Sequence, residues 1–386
     1  MIRKGFYISI VLFAVFLPVV GMSGEIRRLH KFTRPLAMGG AFTAVADSME
    51  TIAYNPAGVL QKDVEWSLSV PIIGFSMNDL MRSIILDPSG DIDEKLGVDF
   101  DDSSTLGNVK GKRLFVDFQI PFLPLLFLPK SGIFTGLSSD FWFDFEIPKQ
   151  SVIPAVHIEL VVQAAYEYAM AFELFGSGLF VGANMKLIQR VGVVDDIGLL
   201  VISNLDTDEL LDRYGSEQPP YKLVMDVGLL YRIDHRWNPR IGISSIDVGS
   251  IDIGGELNAN YGGVDYGIAG ESKQLNSVGF AATQQIDHIY LTYAADFHDY
   301  SFSYFPNNSI TRRISLGFEA AFYREPDNAS IAALQIGLRE LRYPSFGYSL
   351  AFGFLKFSAA QWTENFGTEN NPITDQRYKF LISLDF

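Results

Sequence analysis

The sequence has no cysteine among its 386 residues. This absence excludes a disulfide scaffold, thiolate metal sites, a cysteine nucleophile and a lipidated N-terminal cysteine. Charge is also scarce, because 19% of the residues are charged, where a soluble protein usually carries about 25%. The net charge of −15 argues against nucleic acid as a partner, since phosphate binding needs basic patches. Because charged residues are scarce, much of the surface is expected to face something other than water.

Long apolar runs are missing beyond the N-terminus. No later stretch approaches the roughly 18 unbroken apolar residues that a membrane-spanning helix needs. Apolar residues are instead spread through short segments bounded by Gly, Pro, Asn and Asp, and 13% of the chain is aromatic. Only helices and closed barrels span membranes, so this pattern favours a barrel.

Sequence motifs of catalysis are absent as well. The chain has no Gly-x-Ser-x-Gly elbow, P-loop or His-Glu-x-x-His. Asp91–Glu94 and Asp206–Glu209 lack the spacing of an EF-hand loop, which leaves an ordinary solvated loop or loose divalent-cation binding. His288, Asp296 and His298 share one face of a predicted strand, which indicates a polar row facing the lumen. We expect no enzyme activity, no catalytic residue, no metal site and no cofactor.

The N-terminus has the pattern of an export signal. Arg3 and Lys4 precede an apolar run at 6–20 and small residues at 21–24. This order is typical of a cleaved secretory signal peptide, which we place at 1–24. The alternative is an uncleaved anchor, which would leave the small residues without a purpose.

From residue 63 onward, apolar and polar residues alternate in runs of about ten, the length of a membrane-spanning strand. The clearest run has Tyr221, Leu223, Met225, Val227, Leu229 and Tyr231 on one face. The chain is therefore predicted to be all-β, with a transmembrane antiparallel β-barrel over 63–386. A soluble β-sandwich or jelly roll is the alternative. Fourteen strands are predicted, at 63–74, 112–126, 132–147, 155–174, 178–194, 220–234, 239–253, 273–285, 287–299, 310–324, 329–341, 345–354, 356–364 and 375–386.

The predicted connections alternate in length, as bacterial barrels require. The long ones lie at 75–111, 195–219 and 254–272. Two acidic stretches, 87–102 and 195–217, each contain seven carboxylates against one basic residue, and they fall on long connections. We place these connections outside the cell of a Gram-negative-type bacterium, with the barrel in its outer membrane.

The last strand places five apolar residues on one face. They are Tyr378, Phe380, Ile382, Leu384 and Phe386. An aromatic residue that closes an alternating strand resembles the signal read by the barrel-assembly machinery. That machinery is an expected partner during insertion, and outer-membrane lipid is an expected partner afterwards.

Residues 25–62 differ from the rest of the chain. They are rich in small residues without a period of two, and Asn55-Pro56 reads as the start of a short helix. The segment is too small for its own core, whereas a barrel of about fourteen strands encloses a lumen that its own side chains do not fill. We predict that 25–62 form a plug inside the lumen.

A family resemblance covers part of this segment. Arg34-Pro35-Leu36-Ala37-Met38-Gly39-Gly40-Ala41-Phe42, Ala44-Val45-Ala46-Asp47 and Tyr54-Asn55-Pro56-Ala57-Gly58 resemble the N-terminus of the FadL-type superfamily. That superfamily includes long-chain fatty-acid transporters, aromatic-hydrocarbon channels and PorV-like barrels.

The resemblance implies that 25–62 form a hatch inside the barrel. It also implies a hatch or gating role for Asn55, Pro56 and Ala57, and a turn at Gly39 and Gly40. The simpler interpretations are a helix start at Asn55 and a turn within a packed segment.

The first long connection has an apolar patch. Leu80, Met81, Ile84 and Ile85 have helical spacing, and Phe75 precedes them. Exposed apolar patches often mark binding surfaces, so these five residues are candidates for first contact with a hydrophobic ligand. The alternative is a loop helix that covers the barrel mouth.

The leading functional hypothesis is passive uptake of hydrophobic small molecules such as long-chain fatty acids. The ligand would pass when the hatch around Asn55 shifts. One alternative is a PorV-like plugged barrel that acts as a binding partner in protein secretion or cell-surface assembly, and another is an aqueous porin. Pro121 and Pro124 also make the second strand a candidate for a kink, since proline interrupts ladder hydrogen bonding.

Overall fold

The computed structural model describes residues 31–61, 66–86, 113–119, 123–146, 155–198, 221–249, 251–252, 271–301, 310–324, 329–366 and 374–386. The predicted signal peptide and most of both acidic stretches lie outside these ranges. Within them, no helix is long and apolar enough to cross a membrane.

Strands dominate the described chain. They are β1 (Ser67–Asn78), β2 (Arg113–Gln119), β3 (Leu125–Leu128), β4 (Ile133–Glu146), β5 (Ala155–Leu174), β6 (Leu179–Gly198), β7 (Lys222–Arg232), β8 (Arg240–Ile246), β9 (Ile251–Asp252), β10 (Glu271–Ser272), β11 (Leu275–Ile286), β12 (Ile289–His298), β13 (Ile314–Arg324), β14 (Ala329–Arg339), β15 (Tyr343–Phe352), β16 (Leu355–Asn365) and β17 (Thr374–Asp385). The α-helices are α1 (Thr33–Ala37) and α2 (Asp79–Leu86), and 3-10 helices lie at Met49–Ala53, Pro56–Leu60, Pro129–Ser131 and Ile310–Arg313.

The main sheet is antiparallel and closes on itself, because β17 pairs with β1. β2 and β3 occupy one strand position, and β9 and β10 form a separate pair, so the described strands make fourteen positions around the barrel. The predicted fold class and all fourteen predicted strands are confirmed. The three long connections leave β1, β6 and β8, which run in the same direction, so they lie at one end of the barrel.

Side chains that face the inside of the barrel alternate along each strand with side chains that face outward. On β7, Val224, Asp226 and Leu230 are buried inside, whereas Leu223 and Met225 point outward and are exposed. The same outward exposure recurs around the barrel, at Phe280, Tyr293, Ile336, Phe346 and Tyr348 among others. A closed barrel with an exposed apolar band is the architecture of an outer-membrane protein. The soluble sandwich is therefore excluded.

Several predicted boundaries are wrong. The predicted strand 239–253 differs most, because β8 ends at Ile246, and three others differ by four residues. β1 extends to Asn78, so Phe75 lies in a strand rather than in the first long connection. The alternation continues there because Ser76 and Asn78 are buried while Phe75 packs on the outer surface beside Phe380. β6 likewise extends to Gly198, beyond the predicted end at 194. At the third boundary, residues 310–313 form a 3-10 helix before β13 begins.

The second strand position is interrupted. β1 pairs Gly74 with Gln119 and Ser69 with Leu125, so the two pairings are five positions apart on β1 and six positions apart on the partner chain. On the other side, Asp140 of β4 pairs with Gln119 and Gly136 with Leu125. Pro121 and Pro124 within the interruption have no N–H to give to the ladder.

Residues 31–61, here called the N-terminal segment, form the main apolar core of the described chain. Phe42, Ile52 and Val59 cluster with Phe127 and Leu230 of the wall, together with other buried side chains of both parts. The segment therefore buries its apolar residues against the inner face of the barrel.

Candidate functional site

Seven glycines of the wall accommodate the N-terminal segment. A Cβ atom on any of them would lie within 3.0 Å of an atom of the segment, a separation that real Cβ atoms essentially never show. We call this set the glycine seat; its members are Gly182, Gly228, Gly242, Gly279, Gly317, Gly337 and Gly347. Glycine within a strand weakens the strand and often marks close approach of another backbone, which is its role here.

The glycine seat is a continuous track because register brings its members together. Gly182 pairs directly with Gly228, Gly242 pairs with Gly279, and Gly317 pairs with Gly337. At Gly317, an added Cβ would lie 2.8 Å from the carbonyl oxygen of Met38. The seat thus runs across strands β6 to β15 and receives the segment over much of its length.

An ion-pair network fastens the segment to β13. Arg34 donates to both carboxylate oxygens of Glu319, at 2.7 and 2.6 Å, and to Asp47 at 2.6 Å. Gln335 also donates to Glu319, at 2.9 Å. Burial lowers the pKa of Arg34, but the carboxylates of Asp47 and Glu319 outweigh burial and hold that pKa well above its usual value.

Backbone groups of the segment are anchored as well. The amides of Phe42 and Thr43 donate to Asp296 Oδ2 at 2.9 and 2.8 Å. Arg240 donates to the carbonyl of Val45 at 2.9 Å. Asp296 and Arg240 lie on β12 and β8, so the segment is held from several sides. Two members of the predicted polar row, Asp296 and His298, do face inward and are buried. The prediction is wrong for His288, which is exposed in the turn before β12 begins at Ile289.

The triplet Asn55-Pro56-Ala57 also contacts the wall. Asn55 is fully buried, and its Oδ1 accepts from the amide of Ala57 at 3.1 Å. This bond starts the 3-10 helix that begins at Pro56. The Nδ2 of Asn55 donates to the carbonyls of Thr43 and Leu229, at 2.9 and 3.0 Å. Asn55 therefore both begins a helix and joins the segment to β7, while its gating role stays a prediction.

Gly39 and Gly40 form the turn implied by the resemblance. Their φ angles are +68° and +89°, a region that favours glycine. Gly39 is also tightly enclosed, because an added Cβ would lie 2.9 Å from the backbone nitrogen of Leu338. Both the turn and the packing against β14 require glycine at position 39.

The five residues predicted to make first contact with ligand divide into two groups. Phe75 faces outward on β1, with its ring 5.3 Å from that of Phe380. Leu80, Met81, Ile84 and Ile85 lie on α2, as their spacing predicts. Helix α2 begins at the rim of the barrel, where the amide of Met81 donates to Asn78 Oδ1 at 3.1 Å.

A cavity of about 770 Å³ lies between α2 and the ends of the neighbouring strands. Its lining is mainly polar, with Arg82, Arg113, Tyr343 and Asp375 among its residues and Leu80 and Phe366 as its apolar ones. The Arg113 guanidinium pairs with Asp144 and stacks 3.6 Å from the centre of the Phe366 ring. The mouth therefore combines charged side chains with a small apolar surface.

Several other inward-facing charges are paired. Lys186 contacts Asp226 at 2.8 Å and also contacts Asp247. Asn184 donates to Glu167 at 3.0 Å, and Arg313 pairs with Asp299 at 2.6 Å. Sequence reasoning missed this network and the glycine seat. Isolated glycines within alternating strands were the signal that could have revealed the seat.

The five residues of the predicted assembly signal lie at the seam of the barrel. Tyr378, Phe380, Ile382 and Leu384 belong to β17, which pairs with β1. Phe386 follows β17 and exchanges backbone hydrogen bonds with Leu68 at 2.8 and 3.0 Å. Its ring stacks 5.8 Å from that of Phe354. Recognition of these residues by the assembly machinery stays a prediction.

No protein-family model matches the chain, and no curated protein matches its sequence. Three solved structures are similar in fold to this chain. The toluene transporter TodX of Pseudomonas putida is 10% identical, with 96% of this chain and 99% of that chain covered and a TM-score of 0.48. The toluene transporter TbuX of Ralstonia pickettii is 10% identical, with 92% and 98% covered and a TM-score of 0.47. A Pseudomonas aeruginosa FadL homologue is 12% identical, with 94% and 99% covered and a TM-score of 0.45.

The fold itself defines the class of this protein: it is an outer-membrane β-barrel whose N-terminal segment packs against the inner wall. The FadL-type resemblance rests on residues 34–58, whose contacts with the wall are described above.

Proposed function

We propose that this barrel mediates passive uptake of hydrophobic small molecules across the outer membrane, with long-chain fatty acids as the first candidates. The observation that carries the proposal concerns the residues of FadL-type resemblance. Arg34, Gly39, Asn55 and Ala57 are among the residues through which the segment contacts the wall. A wide barrel with a seated segment suits a selective path better than an open aqueous pore.

The route that we propose leaves the segment in place. Displacing it would break the bonds of Arg34 to Glu319, of Asn55 to Leu229 and of Asp296 to two backbone amides. Hydrogen bonds to charged groups contribute about 1.5–3 kcal/mol each. Displacing the segment would lose the contributions of several such bonds at once. The interruption between β2 and β3 offers another path. Next to it, Leu125 and Phe127 of β3 pack in the same apolar cluster as Val59.

Uptake of labelled oleate by a host without its own transporter tests the function. The inserted barrel should restore uptake, as a known transporter does. No uptake by a correctly inserted barrel would contradict the proposal.

A cross-link tests the route. The chain has no cysteine, so Ala37→Cys with Ser345→Cys creates a single disulfide between the segment and β15. The two positions are in contact, because the Ser345 hydroxyl donates to the carbonyl of Ala37 at 2.9 Å, and neither substitution adds a Cβ to the glycine seat. Uptake should be the same in the oxidised and reduced forms. Uptake that requires reduction would instead support passage by a shift of the hatch.

The PorV-like role is a second candidate, favoured by the polar, paired character of much of the described lumen. It predicts that a protein partner copurifies in stoichiometric amount and that no lipid occupies the barrel. Mass spectrometry of the purified protein separates this candidate from uptake.

A further inference from the structure

The cavity beneath α2 is lined from both faces of the barrel wall. On β17, Arg377 is buried inside, whereas Phe380 is exposed on the outer surface. Side chains alternate between the two faces along a strand, so Asp375 faces inward with Arg377 and Gln376 faces outward with Phe380. Both Asp375 and Gln376 line the cavity, which therefore reaches around the end of β17.

The neighbouring strands show the same division. Thr363 of β16 stands directly opposite Gln376, and directly opposed residues of an antiparallel pair point to one face, so Thr363 also faces outward. Arg113 of β2 shares its face with Phe115, whose ring centre lies 3.6 Å from the guanidinium carbon of the buried Arg377, so Arg113 faces inward. Thr363 and Arg113 both line the cavity. The cavity therefore passes over the rim of the wall, from its lipid-facing surface to the barrel mouth.

Helix α2 is fastened to the outer side of this rim. The Tyr378 hydroxyl donates to Asp79 Oδ1 at 3.2 Å, and the Arg82 guanidinium lies 4.6 Å from the centre of the Tyr378 ring. Tyr378 shares the outward face of β17 with Phe380 and lies close to the end of the strand, where aromatic residues form a girdle at the membrane interface. Arg82 is therefore held at the level of the lipid head groups.

An apolar side chain of α2 lies on the same side of the helix. The spacing of Asp79, Arg82 and Leu86 places all three on one face, and Leu86 is 74% exposed. A basic side chain at the head groups beside an exposed apolar one is typical of a helix that lies in the membrane interface. This interface belongs to the outer leaflet, because β1 leads into a long connection and the long connections of bacterial barrels are extracellular.

The carboxylates that line the cavity are balanced by cations. Each forms an ion pair: Asp79 with Arg82, Glu146 with Arg113, and Asp375 with Arg377. The lining is therefore polar without an excess of negative charge, and it admits an anionic head group as well as a neutral one.

We propose that this cavity is a lateral entry, through which a single-chain amphiphile dissolved in the outer leaflet passes beneath α2 into the barrel mouth. The polar lining accommodates the head group as it crosses the rim, and Leu80 and Phe366 contact the first methylenes of the chain. A long-chain amphiphile concentrates in the membrane, because transfer of each methylene out of water is favourable, so the leaflet is its main source. This inference rests on the proposed uptake function and names the phase from which the ligand is taken.

Fluorescence quenching tests where α2 lies. Leu86→Trp is placed in vesicles of phosphatidylcholine that is brominated in the acyl chain close to the head group. The signal of the native barrel, with its four tryptophans, is subtracted. The added tryptophan should be quenched by the lipid, as should that of Leu334→Trp, whose position faces outward and is 57% exposed. Quenching of Leu334→Trp without quenching of Leu86→Trp would overturn the lateral entry.

Blocking the lipid-facing end of the cavity tests passage. Thr363→Trp with Gln376→Trp adds bulk on the outer surface and leaves the side chains of the lumen unchanged, so oleate uptake should fall several-fold. Leu334→Trp is the matched control, because it adds the same bulk to the outer surface of β14, and its uptake should equal that of the native chain. Thr363→Trp alone should give a smaller fall and provides a second reading where the double variant does not fold. Folding is checked by the shift of the heated and unheated barrel on a gel.

The outcomes separate this inference from the proposed function. Oleate uptake that neither blocking variant lowers, or a fall that Leu334→Trp shares equally, would overturn the lateral entry and leave the uptake function standing. No uptake by the folded native barrel would overturn the uptake function, and the lateral entry with it.

Discussion

Arg34 and Glu319 are separated by 285 positions in the chain, yet two guanidinium nitrogens of Arg34 lie 2.6 and 2.7 Å from the two carboxylate oxygens of Glu319. This two-bond geometry fixes both the position and the orientation of α1 against β13. This link between the segment and the wall is the basis of the first prediction.

Glu319→Gln should destabilise the barrel by about 1.5–3 kcal/mol, because it removes the charged acceptor of two Arg34 bonds while Asp47 remains as a counter-charge. Urea unfolding of the barrel in lipid vesicles measures this change. Asp287→Asn, at an exposed turn, is the matched control and should shift stability little. An equal, small effect of both variants would mean that the ion pair is not what holds α1.

Gly182→Ala should unseat the segment near Ala57, because the added Cβ would collide with backbone atoms of Pro56 and Ala57. Hydrogen exchange over residues 51–60 should become faster while β17 stays protected. Gly353 has open space around it and a φ of +62°, a region that asparagine tolerates. Gly353→Asn should therefore leave exchange in the segment unchanged, and similar exchange in both variants would contradict the seat.

Asn55→Asp should separate the two roles of Asn55. Aspartate can still accept from the Ala57 amide and begin the 3-10 helix. It cannot donate to the carbonyls of Thr43 and Leu229, however, and leaving those acceptors unpaired should cost about 1–3 kcal/mol. Asn55→Ala removes both roles. A fully stable Asn55→Asp barrel, seen in the same urea titration, would show that helix initiation is the only role of this side chain.

Phe75→Leu should leave oleate uptake unchanged, because Phe75 packs on the lipid-facing surface. Leu80→Asn with Ile84→Asn should raise the oleate concentration at half-maximal uptake several-fold, because these side chains lie on α2 at the mouth. Asp287→Asn, in an exposed turn away from α2, is the control and should leave uptake unchanged. Loss of uptake in Phe75→Leu alone would restore that residue as a ligand contact.

The strands of the wall could be predicted because the alternation of apolar and polar residues is visible within each strand separately. The run Tyr221 to Tyr231 needs no partner to show which face meets lipid. The kink expected between Pro121 and Pro124 falls partly outside the described residues and stays a prediction. The continuation of β1 through Phe75 and Met77 was missed because a lipid-facing strand and an apolar loop look alike over three residues.

The interior of the lumen could not be predicted in the same way. Gly182, Gly242 and Gly337 form one track only when the register between strands is known, and alternation does not supply register. Likewise, the partner of Arg34 lies at position 319, and nothing near either residue in the sequence connects them. The resemblance identified Asn55 and Gly39 as important, but their bonds depend on the same long-range pairing.

The order of the glycine seat along the chain has a consequence for assembly. The segment precedes every strand that receives it, and its receiving glycines extend from Gly182 to Gly347. The segment therefore has no complete partner until most of the wall exists. During insertion it must be kept from pairing elsewhere, and the closing strands then fold around it. Seating and closure should occur as one cooperative event, in which a defect in either arrests the other.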